Sequence, residues 1–137
     1  MKTLILMVGL PRSGKSTWAK ETGYPVVSHD AIQYVVCGKQ LYTIPEFQPM
    51  SDTLAQYMIR TLFQSGHDTV VYDECNHRRV RRLEWKYFCD QYDYTIKFQY
   101  IDTPIELCQE RAMGYKNEHT LVPLIEKMSG EFELEGL

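Results

Sequence analysis

The sequence predicts a three-layer α/β/α fold with a mainly parallel sheet of four to five strands. Two observations predict it. Short apolar runs alternate with longer stretches of helical periodicity, the pattern of β-α units that lay strands side by side in parallel. The first run, residues 4–9 (LILMVG), is apolar throughout rather than alternating, as a strand covered on both faces must be. With 137 residues, 44% hydrophobic and 24% charged, the chain has the size and composition of one soluble globular domain. Residues 1–137 are therefore expected to form a single domain.

The elements follow in order. A turn rich in glycine and proline leads from the first strand to a helix at about 14–21, ended near Gly23. Residues 25–28 (PVVS) form a short second strand that delivers His29 and Asp30 at its carboxyl end. A short helix at 31–36 stops around Gly38, and residues 39–49, with two prolines and no period, read as a loop. Leu54, Tyr57, Met58 and Leu62 recur at helical spacing through 52–64 and mark the expected inner face of a third helix. Residues 69–72 (TVVY) are a third strand and 78–92 a long helix. Val80 and Leu83 are expected to face the core from that helix, leaving several of its arginines outward. Residues 94–101 make a fourth strand. Thr103-Pro104-Ile105-Glu106 has the form of a capping box, with Thr at the N-cap and Pro at the first helical position of a helix at 104–113. A polar segment at 114–119 precedes a last helix near 122–128, and 129–137 reads as a loosely ordered tail.

Several function classes are disfavoured at once. No apolar run approaches the roughly 18–20 residues that a membrane span needs, and the N-terminal apolar stretch lacks a small-residue cleavage site. A cytoplasmic protein with no membrane partner is expected. Cys37, Cys75, Cys89 and Cys108 form no C-x-x-C pair, which argues against a zinc site or a disulfide framework and for reduced thiols. The net charge of −3 gives no global attraction to nucleic acid, so a polyanion would need a local basic patch.

The chemistry is concentrated in GLPRSGKS at residues 9–16. Gly9, Gly14, Lys15 and Ser16 satisfy G-x-x-x-x-G-K-[ST], with a strand before and a helix after, as the mechanism of this phosphate loop demands. Its glycines let the backbone of Leu10, Pro11, Arg12 and Ser13 curl so that successive N–H groups point inward at phosphate oxygens. The following helix adds the positive end of its dipole. Lys15 is expected to reach the β and γ phosphates of ATP, Ser16 to ligate Mg²⁺, and Thr17 to add a hydrogen bond. Arg12 stands either as a phosphate contact or as a side chain projecting into solvent. The motif makes the fold a P-loop nucleoside triphosphate hydrolase fold, and the features that follow favour its kinase type.

Three further features favour a kinase over a motor or switch ATPase. Asp30 lies at the carboxyl edge of the sheet, where open α/β folds bind ligands. A carboxylate there can take a proton from an attacking hydroxyl, and it is also placed to cap the helix that follows. Asp73 ends the third strand in VVYDECN and is the candidate to hold Mg²⁺ through water, with Glu74 competing for the role. Asn76 and His77 either line the same edge or cap the next helix. Arg111, at the end of a helix beside Gly114 and a polar loop, is placed to bring a cation to the transferring phosphoryl group from a lid at about 111–120, with Lys116 as an accessory. The alternative is an arginine that complements a helix C-terminus.

With these residues in view, the chain resembles the phage polynucleotide 5′-hydroxyl kinases. The likeness runs through MKTLILMVGLPRSGKSTWAKE, VVSHDAI, VVYDECNHRRVRRLEW and FQYIDTPIELCQERA, most of the chain in the right order. The resemblance implies ATP and Mg²⁺ as cofactors and the 5′-hydroxyl of DNA or RNA as acceptor. It matches Lys15 and Ser16 to the phosphate and metal residues, Asp30 to the general base and Arg111 to the lid arginine. Two departures stand out. Gln33 occupies the place of an arginine that contacts the acceptor strand's phosphate, and no D-x-D-x-T phosphatase motif follows.

A bidentate arginine suits phosphate and Gln carries no charge. Either Arg78 and its neighbours Arg79, Arg81 and Arg82 supply the acceptor contacts, with Gln33 and Asn76 beside them, or the acceptor is not a nucleic acid. The expected function is thus an ATP- and Mg²⁺-dependent kinase for a hydroxyl, first of all a polynucleotide 5′ end. The alternatives are a small-molecule kinase for a nucleoside, sugar or other alcohol, and a non-catalytic nucleotide-binding regulatory module.

Overall fold

The computed structural model describes residues 1–38, 46–114 and 118–134. Strands β1 (Thr3–Val8), β2 (Val26–Ser28), β3 (Thr69–Asp73) and β4 (Thr95–Tyr100) form one sheet in the order β2-β3-β1-β4. All three strand pairings are parallel, as the apolar runs predict. The connecting helices are α1 (Lys15–Glu21), α2 (His29–Cys37), α3 (Phe47–Gln64), α4 (Arg79–Gln91), α5 (Ile105–Ala112) and α6 (Glu118–Gly130).

Strand alternation divides the core into layers. Leu4 and Leu6 of β1, with Val70 and Tyr72 of β3, face Ile32, Ala55, Ile59, Phe63, Trp85 and Phe88 of α2, α3 and α4. Met7 and Val71 point the other way, against Ala19 and Trp18 of α1. A third cluster joins α5 and α6 through Cys108, Ala112, Leu121 and Ile125 and reaches Leu10. Because α1 leaves β1 on one face and α4 leaves β3 on the other, the loops after these neighbouring strands part. They open a crevice at the carboxyl edge of the sheet.

The helix faces differ from the sequence expectation. On α3 the buried stripe is Ser51, Ala55, Ile59 and Phe63, while Leu54, Tyr57 and Met58 are exposed. Small Ser51 and Ala55 let the helix approach the sheet, and Phe63 supplies bulk against Tyr94 at 4.4 Å between ring centroids. On α4 the buried residues are Arg82, Trp85, Phe88 and Cys89, and Val80 and Leu83 are exposed. Two large aromatics, Trp85 tilted against Tyr72 and Phe88 edge-on to Trp85, bury more area than Val and Leu. That choice carries Arg82 inward.

Other corrections concern ends. Helix α3 begins at Phe47 rather than near 52, with Pro49 in its first turn, where the missing N–H costs nothing. The part of the expected 39–49 loop at 39–45 lies outside the described residues. Helix α2 starts at His29, and its cap is Ser28, whose Oγ accepts from Ala31 N at 3.2 Å. Asp30 therefore sits in the first turn and is not the cap. The capping box at Thr103 does not form. Pro104 is the N-cap of α5, and the Thr103 hydroxyl is spent elsewhere. Helix α6 runs from 118 to 130 with Pro123 inside it.

The expected loose tail is docked through residue 134. Glu133 N donates to His77 O at 2.9 Å, and His77 Nε2 lies 3.4 Å from Glu131 Oε1. The Arg82 side chain, fully buried, donates to the carbonyls of Asn76, His77 and Glu133. Its guanidinium does for this turn what ordered water would otherwise do, satisfying the Asn76 and Glu133 carbonyls and adding a second donor to His77 O.

Candidate functional site

The phosphate loop is fixed from three directions. Gly9 N donates to Cys75 O at 2.9 Å, tying the loop to the end of β3. Thr103 Oγ1 donates to Ser13 O at 2.7 Å, tying it to the turn before α5. Arg111 Nη1 donates to Arg12 O at 3.1 Å, from the end of α5. Glycine is required at position 9 because a Cβ there would stand 2.9 Å from Ser13 Oγ and 3.1 Å from the Ile101 carbonyl. At position 14 it is required by a backbone φ of 105°. Arg12 also takes a left-handed φ, 65°, and its side chain is exposed at the rim of the cleft.

Inside the loop Lys15 is buried, and its Nζ donates to the Leu10 carbonyl at 2.7 Å. Ser13 Oγ is buried with no hydrogen-bond partner among the described residues. Pro11 is buried, whereas Ser16 and Thr17 are exposed toward the cleft. Ser16 Oγ donates to Asp73 Oδ2 at 2.6 Å. The two acids at the end of β3 are thus separated by geometry. Asp73 meets the phosphate loop, while Glu74 meets Arg81 at 3.3 Å and lies 3.8 Å from His29 Nδ1.

Asp30 arrives beside this pair because β2 and β3 run in register, with Ser28 opposite Asp73. It opens onto the same cleft, a space of about 1260 Å³ lined also by Lys15, Gln33, Asn76, Arg78 and Arg111. Desolvation in the cleft raises the Asp30 carboxyl above its ordinary value. Asp73 and Glu74 push in the same direction, and His29 and Lys15 oppose them. Asp30 is itself exposed to the open cleft, and the crowding cleft walls together with the like charges of Asp73 and Glu74 disfavour its carboxylate, which makes it a better proton acceptor than an isolated one. Cys75 borders the site, but burial pushes its thiol up to about 11, so it is protonated and inert at neutral pH.

The remaining expected site residues divide. Gln33 is buried in the cleft wall, with its Oε1 unpartnered among the described residues. Asn76 is buried, and its Nδ2 donates to the Met7 carbonyl at 2.9 Å, so this amide holds the strand ends together. It does not cap α4. Arg78 stands exposed at the rim, 4.0 Å from Glu133. Lys116 and the middle of the expected lid lie outside the described residues.

Sequence reasoning missed Gln48 and α6 as parts of the cleft wall, and named Arg81 only as one of four arginines for acceptor contacts. Gln48 Nε2 donates to Asp52 Oδ1 at 3.0 Å and to Glu74 Oε1 at 3.3 Å. Arg81 binds Asp52 with both terminal nitrogens at 2.7 and 2.8 Å, and Glu84 at 2.6 Å. Nothing in RRVRR distinguishes it from exposed Arg78 and Arg79 or from fully buried Arg82.

The donors present fit a nucleotide and Mg²⁺. Backbone N–H groups at the start of α1, the ammonium of Lys15 and the unpartnered Ser13 hydroxyl suit phosphate oxygens. A hydroxyl and a carboxylate already in contact suit a hard cation that keeps most of its waters, as Mg²⁺ does. Among the described residues no group of three or more His, Cys, Asp and Glu is placed to hold a metal by itself. Nor is any helix long and apolar enough to cross a membrane.

Comparison with known proteins bears on the family and the fold. Residues 4–123 match a family model described as an AAA domain. The chain is 33% identical over 101 residues to the 2′,3′-cyclic-nucleotide 3′-phosphodiesterase of Rattus norvegicus, covering 69% of this chain and 23% of that protein. The curated relatives it matches are thus much longer, and the chain spans 23% of their length. Among solved structures, a chain of the Pnkp1/Rnl/Hen1 complex superposes with a TM-score of 0.70 at 23% identity, over 80% of this chain and 38% of that one. A gluconokinase from Sinorhizobium meliloti superposes with a TM-score of 0.63 at 18% identity, over 96% of this chain and 75% of that one. These two likenesses establish the fold. By its match over residues 4–123, and by the sheet and phosphate loop described above, the chain belongs to this AAA domain family, and its fold is that of the P-loop kinases.

Proposed function

We propose that the chain is a kinase that uses ATP and Mg²⁺ to phosphorylate a hydroxyl group. The observation that carries this reading is convergence. The buried cation Lys15, the Ser16–Asp73 pair, the proton acceptor Asp30 and the cation Arg111 come from four separate elements and open onto one cleft. Bound ATP and Mg²⁺ would supply an electrophilic γ-phosphorus with its charge neutralised. Lys15 would leave the Leu10 carbonyl for phosphate oxygens, and Ser16 and Asp73 would hold the metal, Asp73 through water. Asp30 would take the proton of the acceptor hydroxyl. Arg111, already bonded to the phosphate loop, would close over the transferring group as part of a lid at about 111–120.

The polynucleotide 5′-hydroxyl is the first acceptor to test. The likeness to the cyclic-nucleotide phosphodiesterase and the fold shared with the Pnkp1 complex support it, and Arg78 at the rim could take a strand phosphate. A second reading, a small-molecule alcohol, is favoured by the uncharged, buried Gln33 beside Asp30. The experiment is transfer from γ-labelled ATP, with Mg²⁺, to 5′-hydroxyl oligonucleotides and to a panel of small alcohols. Label on either class supports the kinase reading. ATP binding without transfer to any acceptor would replace it with the regulatory module.

A further inference from the structure

We infer that the outer flank of α3, together with the last turn of α2, is the face through which two copies of this chain associate about a two-fold axis. The inference stands apart from the kinase reading.

Helix α3 carries two apolar stripes, where a helix on the surface of a domain carries one. The inner stripe, Ala55, Ile59 and Phe63, lies in the core. A second stripe, Met50, Leu54, Tyr57 and Met58, follows the spacing i, i+4, i+7, i+8 and is exposed. At about 100° per residue it runs along the flank of the helix turned away from α4. The two charged residues of α3 lie on the opposite flank. Asp52 is bound by Arg81 of α4, and the Arg60 guanidinium sits 4.3 Å from the centre of the Tyr92 ring, where α4 ends. Helix α2 packs on α3. Its last turn adds Tyr34, Val35 and Val36, all exposed. Between residues 31 and 66 the charged side chains are Lys39, Glu46, Asp52 and Arg60, and none of them falls within the second stripe.

Contiguous exposed apolar surface of this extent marks a contact site. Tyr57 is 69% exposed, Tyr34 63% and Val35 83%. With their four neighbours they offer on the order of 700 Å², close to the roughly 800 Å² that each partner gives to a standard interface.

The lack of charge selects the occupant. A nucleic acid or an anionic lipid surface is held by Lys and Arg, and the exposed stripe contains neither. A charged protein surface would bury its own ions here without a counter-charge. A second copy meets neither obstacle, because a two-fold axis sets this face against itself, uncharged against uncharged. At 18 residues, α3 is about 27 Å long, enough to lie antiparallel along its mate. Met50 and Met58 have flexible side chains that adapt to the opposing surface. Pairing also braces α2, whose first turn holds Asp30 at the cleft while its last turn lies at this face.

The test is sedimentation velocity of the full chain at about 0.1–100 μM, where standard-sized interfaces of modest affinity dissociate. The expected species at the upper end is a dimer, with a thermal midpoint that rises with protein concentration. Tyr57→Glu and Met58→Glu each place a charge within the face. Each should raise the dimer Kd about tenfold or more, with the far-UV circular dichroism unchanged. Val80→Glu places the same charge at an exposed apolar position of α4, outside the face, and should leave the Kd unchanged. A chain that stays monomeric across the range overturns the inference. So does a dimer that survives both α3 variants, or one that Val80→Glu dissociates as readily. A monomer that floats with phosphatidylcholine vesicles would assign the face to lipid instead. Transfer from labelled ATP is read separately, so none of these outcomes decides the kinase reading.

Discussion

Ser16 and Asp73, 57 residues apart in the chain, share a hydrogen bond of 2.6 Å that joins the phosphate loop to the end of the neighbouring strand β3. If this pair holds Mg²⁺, each partner should matter through the metal. Ser16→Ala and Asp73→Asn are expected to lower kcat/KM by about 10²–10³-fold, the scale of losing one preorganised electrostatic contact. Both should raise the Mg²⁺ concentration needed for half-maximal rate. A steady-state Mg²⁺ titration checks this, and an unshifted midpoint would remove the pair from the metal site.

Asp30 predicts a pH dependence with a definite sign. Its folded pKa is raised, so the fold favours the protonated form relative to the unfolded chain. Between the unfolded and the folded pKa the native state binds more protons, and stability therefore falls as pH rises through that window. If Asp30 is the general base of the proposed kinase, activity needs the carboxylate and rises over the same range. Asp30→Asn should lose about 10²–10⁴-fold in turnover while showing a higher midpoint of thermal unfolding at neutral pH. A variant less stable than the wild type would mean that the carboxylate is favourably placed in the fold and not held at a cost.

Arg82→Met tests the docked C-terminal segment. The substitution keeps an apolar stem but leaves the carbonyls of Asn76, His77 and Glu133 without this donor. His77 O keeps the Glu133 N–H and Glu133 is exposed, so the buried Asn76 carbonyl carries the cost, and the loss should be about 1–3 kcal/mol in urea unfolding. Amide exchange at Glu133, whose N–H bonds His77, should accelerate more than exchange in β1. Equal acceleration everywhere would mean that the segment unfolds only with the whole domain.

Thr103→Val removes the bond to the Ser13 carbonyl while preserving shape. A cost of about 1 kcal/mol is expected. Because that bond shapes the phosphate loop, the KM for ATP should rise several-fold. An unchanged KM would show that Gly9, Gly14 and Arg111 hold the loop unaided.

The sequence by itself determined the sheet, the phosphate loop and the carboxyl-edge position of Asp30 and Asp73. These rest on local patterns: continuous apolar runs can only be buried strands, and G-x-x-x-x-G-K-S has one use between a strand and a helix. Tertiary structure alone decided the helix faces, the cap and the acceptor side. Val80 and Leu83 look like core residues until Trp85 and Phe88, with Arg82 one turn before Trp85, offer more buried area and a donor for the buried Asn76 carbonyl. Thr103 reads as a cap until a carbonyl 90 residues away competes for its hydroxyl. Gln33 is one polar residue among many until burial strips it of water and leaves its oxygen unpaired. For Thr103 the deciding partner is distant in sequence, and for Trp85 and Gln33 the deciding quantity is burial in the folded chain, so no local pattern records either.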